Sequence, residues 1–128
     1  MRPTSIQIQS VMDAFGKQAW QFEHLEGKDV IRTVFEAYHT QVHLHAQAFP
    51  QINALSIVGE APLSVEMEHE PLILELFARA NKKLTLGSLE YDLDREQLMF
   101  RITNIFERDK FDGDIISSMV HAAIAEVD

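Results

Sequence analysis

The 128-residue chain contains no cysteine. This absence excludes disulfide bridges, cysteine-based zinc sites, iron–sulfur clusters and cysteine nucleophiles. Positive charge is also scarce, since 11 Lys and Arg stand against 20 Asp and Glu, which gives a net charge of −9. Binding to nucleic acid or to an anionic membrane surface requires the opposite balance. We therefore expect no nucleic acid and no membrane among the partners of this protein.

Long hydrophobic runs and nucleotide-binding motifs are missing as well. No stretch approaches the roughly 18 apolar residues of a membrane span, and the N-terminal "MRPTSIQIQS" lacks the apolar run of a secretory signal. The sequence contains no P-loop, no G-x-G-x-x-G and no G-x-S-x-G motif. These absences favour a cytoplasmic protein without nucleotide-binding or hydrolase chemistry. The length and the apolar fraction of 46% are typical of one folded domain, spanning residues 1–128.

Three segments have the apolar spacing of amphipathic helices. The first begins at Ser5, and its apolar residues from Ile8 to Ala19 recur at intervals of three and four. The second runs from residue 66 to residue 83, with acidic residues at its start and lysines at its end, as the helix dipole favours. The third is "DGDIISSMVHAAIAEVD", for which Asp114 is the predicted N-terminal cap.

Five other segments show the period-two alternation and the β-branched residues of strands. They are "DVIRTVFEAY", "QVHLHAQAF", "INALSIVGEAPL", "LTLGSLEYDL" and "QLMFRITNIF". The resulting order is α-β-β-β-α-β-β-α, in which strands are grouped rather than alternating with helices. This grouping predicts an α+β fold, with an antiparallel five-stranded sheet and helices packed on one side. Short links between the first three strands predict a meander.

The segment "LFARANKKLTLGSLEYDLDREQLMFRITNIFE" and the following Ala-rich helix resemble the YbjN-domain family. The matching positions are Asn81, Leu84 or Leu86, Gly87, Leu89, Glu90, Asp92, Phe100 and Arg101. The resemblance implies a type III secretion chaperone-like fold and a protein of the sensory-transduction regulator kind, without an established reaction or catalytic residues. We interpret the matched positions as architectural.

Individual matched positions have specific interpretations. A side chain at Gly87 would be obstructed. Phe100 and Leu89 belong to the core, and Arg101 forms a cross-strand ion pair with Glu90. The sequence departs from the family in the turn before the Phe100–Arg101 strand, where "DREQ" replaces a glycine-containing turn.

The stretch "HTQVHLHAQ" contains three of the six histidines. His43 and His45 lie two apart on a predicted strand, so both project from one face and could bind zinc or copper with a third ligand such as His39 or His24. Alternation with apolar residues already explains the pair as the polar side of a half-buried strand. We therefore predict no metal and no cofactor. A small-molecule or metal-binding regulator or enzyme that uses this face is the alternative hypothesis.

Apolar residues on the predicted outer face of the sheet indicate a binding surface instead. These residues are Val30, Val34, Tyr38, Met99 and Ile105. Exposed apolar surface usually marks a partner site, although Trp20, Phe22 or a second copy could cover it. The leading hypothesis is a non-enzymatic protein-binding module with a chaperone-like or regulatory role, which binds a protein or peptide partner and forms a homodimer.

Overall fold

The computed structural model describes residues 6–25, 28–37, 40–61, 66–106 and 112–127. The helices are α1 (Ile6–Lys17), α2 (Glu70–Asn81) and α3 (Gly113–Val127). The strands are β1 (Glu23–His24), β2 (Val30–Glu36), β3 (Gln41–Phe49), β4 (Ala54–Glu60), β5 (Ser88–Asp92) and β6 (Gln97–Ile105). All strand pairs are antiparallel, and the order across the sheet is β1-β2-β3-β4-β6-β5.

The predicted α+β class is confirmed, but the predicted number of strands is wrong. Over the described residues the sheet has six strands rather than five, because Glu23 and His24 pair with Arg32 and Ile31 as the short β1. Two residues are too few to produce a visible period-two pattern, so this strand has no signal in the sequence. The predicted meander is present as β2-β3-β4, and the last two strands pair with each other.

The core lies between the sheet and the two helices that pack on one of its faces, α1 and α3. Side chains at helical spacing in both helices are fully buried there, among them Ile8, Val11, Phe15, Ile116 and Val120. They meet the inward-facing residues of the central strands, such as Leu44, Ala46 and Ile57. The opposite face of the sheet, which α1 and α3 do not cover, is called the open face below.

Helix α3 is capped by Asp112 and not by Asp114 as predicted. The Asp112 carboxylate accepts hydrogen bonds from the backbone N–H groups of Asp114 (2.8 Å) and Ile115 (3.4 Å). The first helical residue is Gly113, so the capping position falls one residue before it. Both aspartates fit a capping pattern in the sequence. The position of the first turn decides between them.

The family-like positions have the architectural roles expected of them. A Cβ on Gly87 would lie 2.5 Å from both the Arg101 carbonyl oxygen and Phe100 Cζ. Phe100 is buried, and Leu89 packs against the core. Arg101 Nε donates to Glu90 Oε2 at 2.7 Å. These contacts confirm the predicted obstruction at Gly87, the core positions and the cross-strand ion pair.

Among the helices in the described ranges, none is both long enough and apolar enough to cross a membrane.

Candidate functional site

The edge of the sheet at β2 is only partly covered by β1. Val30 C=O accepts from Leu25 N–H at 3.0 Å, so the backbone groups of Val30 and of every second residue after it face away from β3. Pairing with β1 stops at Arg32. Beyond that point the N–H and C=O groups of Val34 and Glu36 face outward, and no described residue bonds to them. Half of β2 is therefore an open sheet edge.

An aromatic wall stands beside this edge because the chain turns sharply after α1. Ala19 has a left-handed conformation with φ of 59°, and Trp20 N–H bonds to Phe15 C=O at 2.9 Å. This closure of the helix end directs the Trp20 ring onto Phe15 and Phe35, with ring centroids 5.3 Å apart in both cases. Phe22 adds a further edge-on contact to Phe15 at 5.8 Å. These rings form a fixed apolar surface.

The wall and the open edge together border a cleft of about 850 Å³. Its lining includes the aromatic residues Trp20, Phe22 and Phe35, the edge residue Val34, and polar residues of the open face. Two of the large apolar lining side chains are exposed, Val34 at 51% and Phe22 at 37%. We call this feature the edge cleft. Apolar side chains and unpaired backbone groups are thus available to a ligand at the same place.

The polar side of the edge cleft is organised by a bidentate ion pair. Arg95, in the turn between β5 and β6, reaches across the open face to Glu60 of β4, with N···O distances of 3.1 and 3.2 Å. The Glu60 side chain is only 13% exposed, so the pair partly neutralises a half-buried carboxylate. His43 and His45 project beside it. Burial lowers the pKa of His45, and Arg101 and Arg95 add to this shift while Glu60 opposes it.

The predicted partner-binding residues occupy different parts of the open face. Val34 borders the edge cleft. Met99 belongs to the same cross-strand row, but His43 and Glu60 lie between the two. Val30 pairs with Gln47, and Ile105, 71% exposed, pairs with Ala54 at the far end of the sheet. The fifth predicted residue, Tyr38, lies outside the described residues. Of the four predicted residues that the structure describes, only Val34 lines the cleft.

Sequence reasoning did not assign Trp20, Phe22 and Arg95 to a binding site. The sequence predicts the two aromatic residues only as a cover for the outer face. Trp20 instead packs beside the core, where it also meets His121 at 5.4 Å. A pair of aromatic residues directly after a helix is a weak signal for such a wall. The pairing of Arg95 with a residue 35 positions earlier has no local signal at all.

The two histidines of the alternative hypothesis lie on the open face, as predicted. His43 is exposed and His45 is half-buried. In the described part of the chain, three potential metal-ligating atoms within 4.8 Å of one another occur at Glu66, Glu68 and His69, all exposed. That cluster includes neither strand histidine. The metal-binding alternative therefore stays a hypothesis.

A second unusual surface is helix α2, which has no buried residue. One side is held to the sheet edge, where Tyr91 O–H donates to Glu70 Oε1 at 3.0 Å. The remaining surface exposes large apolar side chains, which are Leu72 at 64%, Leu74 at 44% and Leu76 at 55%, with Met67 at 74% just before the helix. Leu72 and Leu76 lie one turn apart on one flank of the helix, whereas Leu74 lies on the other flank. Exposed apolar side chains that share a helix flank are a candidate contact surface for a partner.

Three solved structures are similar to this one over nearly the whole chain. A chain of the ExsC–ExsE complex has a TM-score of 0.73 at 10% identity, covering 100% of this chain and 92% of that one. A chain of the HopA1–SchA chaperone–effector complex has a TM-score of 0.64 at 12% identity, covering 97% and 94%. YbjN from E. coli has a TM-score of 0.69 at 8% identity, covering 98% and 89%. This chain has the fold of these three proteins.

The shared fold confirms the architecture that the resemblance to YbjN-domain proteins implied. No family model matches the sequence, and no curated protein matches it. At 8 to 12% identity the similarity establishes the fold alone. Two of the three structures are complexes between different proteins, and one of them is described as a chaperone with its effector.

Proposed function

We propose that this protein is a non-enzymatic, chaperone-like binding module that holds a segment of another polypeptide in the edge cleft. The observation that carries the proposal is the coincidence of an aromatic wall with unpaired backbone groups on β2. A polypeptide can bind both features at once. Its apolar side chains can pack on Trp20 and Phe22, and its backbone donors and acceptors can pair with the open edge. The similarity of the fold to chains found in protein–protein complexes supports this reading.

Site-specific photo-crosslinking tests the proposal in the cells that make the protein. A photoreactive phenylalanine analogue replaces Val34 in the cleft or, as a matched control, the exposed Gln9 on α1. We expect position 34 to yield a defined set of crosslinked peptides from other proteins, and position 9 to yield none of them. Identical products from both positions, or none from position 34, would contradict binding in the cleft.

We also propose that the working form is a homodimer that pairs through α2. A twofold axis places the same surface of both copies in contact. When two copies of α2 cross in antiparallel fashion, Leu72 of one copy lies against Leu76 of the other, and both are more than half exposed here. Burial of these side chains would remove them from water. This burial would stabilise the dimer by about 1.5–3 kcal/mol for each leucine that becomes fully buried.

Light scattering during size-exclusion chromatography tests the dimer. The wild type is expected at twice the chain mass of 14.6 kDa, and the variant Leu72→Glu/Leu76→Glu at the mass of one chain. The matched control is Ile105→Glu, which adds a charge at an equally exposed apolar position on the open face and should leave the dimer intact. A monomeric wild type at about 100 µM, far above the dissociation constants of stable dimers, would rule the homodimer out.

A further inference from the structure

The two edges of the sheet differ in their capacity to accept another strand. An exposed edge has unpaired N–H and C=O groups that can pair with an incoming chain. At one edge, Val34 and Glu36 of β2 present such groups next to the edge cleft. At the other edge, the outward-facing backbone of β5 is already occupied at Leu89, because the Asn81 side chain binds it.

Asn81 takes the place that a neighbouring strand would occupy. Its Oδ1 accepts from Leu89 N–H at 2.8 Å, and its Nδ2 donates to Leu89 C=O at 3.0 Å. These two bonds reproduce the pair of bonds that a residue of an added antiparallel strand would make. Asn81 is the last residue of α2, and its two bonds to Leu89 hold the end of the helix against β5.

At the open edge, no described residue takes a comparable place. Gln21, which would face Val34 if β1 were longer, instead accepts a hydrogen bond from the Thr33 hydroxyl at 2.6 Å. The chain therefore leaves the sheet at this point and continues into the aromatic wall. No described residue bonds to the outward backbone groups of Val34, and its side chain is 51% exposed.

We infer that the partner segment binds as an added strand along Val34 and Glu36, and that Asn81 directs it there by closing the opposite edge. This inference rests on the proposed function and specifies the conformation of the bound chain. Alternate side chains of an added strand point to opposite faces. One set meets the rings of Trp20, Phe22 and Phe35, and the other meets the polar side of the cleft around His43. The partner is therefore an extended segment in which apolar and polar residues alternate.

A fluorescein-labelled peptide of about nine residues, the length of a long strand, tests the inference. Valine and threonine alternate along the peptide, and a lysine stands at each end. The lysines are opposite in sign to the net charge of −9 on the protein. Fluorescence anisotropy measures the binding. The decisive variants are Val34→Pro and Val34→Ala. Proline removes the outward N–H, which has no partner among the described residues, and proline is tolerated in edge strands. Alanine removes the side chain but keeps the N–H.

We expect Val34→Pro to weaken peptide binding by about tenfold or more, because the peptide loses a hydrogen bond to the edge and meets the proline ring instead. We expect Val34→Ala to weaken binding by less than about threefold, because the N–H remains. Equal weakening by both variants would overturn strand addition, as would the absence of binding to the wild type. Amide exchange gives an independent readout that needs no variant. Saturating peptide should slow exchange at Val34 and Glu36, and unchanged exchange at both would also overturn the inference.

Asn81→Ala tests the second half of the inference. Opening of the β5 edge should raise the number of peptides bound per chain from one to two, and the added site should persist in Asn81→Ala/Val34→Pro. A stoichiometry that stays at one would exclude the closing role of Asn81. Failure of the photo-crosslinking at position 34 would defeat the proposed function, whereas crosslinking without protection at Val34 and Glu36 would defeat only the extended binding mode.

Discussion

The side chain of Asn81 and the backbone of Leu89 form two hydrogen bonds, of 2.8 and 3.0 Å, that join the end of α2 to the edge of β5. Together with the bond from Tyr91 to Glu70 they join α2 to the sheet, since α2 has no buried residue. The contact also gives a structural role to Asn81 and Leu89, two matched positions of the family-like segment that are eight residues apart in sequence.

Replacement of Asn81 by alanine should lower the free energy of unfolding by about 2 kcal/mol, since two partly buried hydrogen bonds are lost at about 1 kcal/mol each. Chemical denaturation measures the effect. The matched control is Gln9→Ala, which removes an exposed hydrogen bond to Asp13 within α1 and should change stability by less than about 0.5 kcal/mol. Equal losses in the two variants would show that the Asn81 bonds contribute nothing beyond a surface contact.

Gly87→Ala should be strongly destabilising, by about 3 kcal/mol, because a methyl group cannot occupy a position 2.5 Å from the Arg101 carbonyl and the Phe100 ring. Thermal unfolding provides the measurement. Gly16→Ala is the matched control, since nothing lies within 4 Å of a Cβ at that helical position. It should increase stability by about 0.5 kcal/mol through helix propensity. A tolerated Gly87→Ala would mean that β5 and β6 separate more readily than the structure indicates.

The ion pair between Arg101 and Glu90 connects diagonal neighbours on the open face, since Glu90 is opposite Met99 and Arg101 is opposite Ser88. The side chains are 40% and 37% exposed, so solvent screens their attraction. A double-mutant cycle with Glu90→Gln and Arg101→Met should give a coupling energy below about 1 kcal/mol. Repeating the cycle in about 1 M salt should reduce it further. A coupling well above this range, insensitive to salt, would contradict the exposed character of the pair.

The strands could be predicted from the sequence wherever one face is buried. In β3, the buried Val42, Leu44 and Ala46 alternate with more exposed residues because successive side chains of a strand point to opposite faces. The same rule has no effect on the two residues of β1, whose existence depends on where β2 lies. For this reason β1 has no recognisable pattern in the sequence.

The edge cleft could not be predicted, because it depends on tertiary geometry. Its open edge exists because the chain leaves the sheet at Gln21, where the Thr33 hydroxyl takes the carbonyl that a longer strand would use. Its polar side depends on Arg95 reaching Glu60 across β6. Only Val34 was recognised from the sequence, since an exposed valine on a patterned strand is visible without knowledge of the fold.

The stability of the protein should depend on His45 in mildly acidic solution. Burial, aided by Arg101 and Arg95 and opposed by Glu60, holds the pKa of this histidine below its usual value of 6.5. Between the folded and unfolded pKa values the unfolded chain therefore binds more protons than the folded one, so the free energy of unfolding falls as the pH drops through about 6.5. Above that pH both states are neutral at this site and the contribution is constant.

Thermal unfolding between about pH 8 and pH 5, the range in which histidine titrates, measures this contribution in the wild type and in His45→Gln. The variant has no titrating group at this position, so its unfolding temperature should decline less steeply below pH 6.5. Gln47→Ala, a non-titrating change on the same face of β3, is the control and should keep the wild-type slope. A decline in His45→Gln as steep as in the wild type would show that other groups govern the acid sensitivity. A shallower decline would identify the half-buried imidazole of His45, beside the Glu60–Arg95 pair, as a source of pH dependence on the polar side of the cleft.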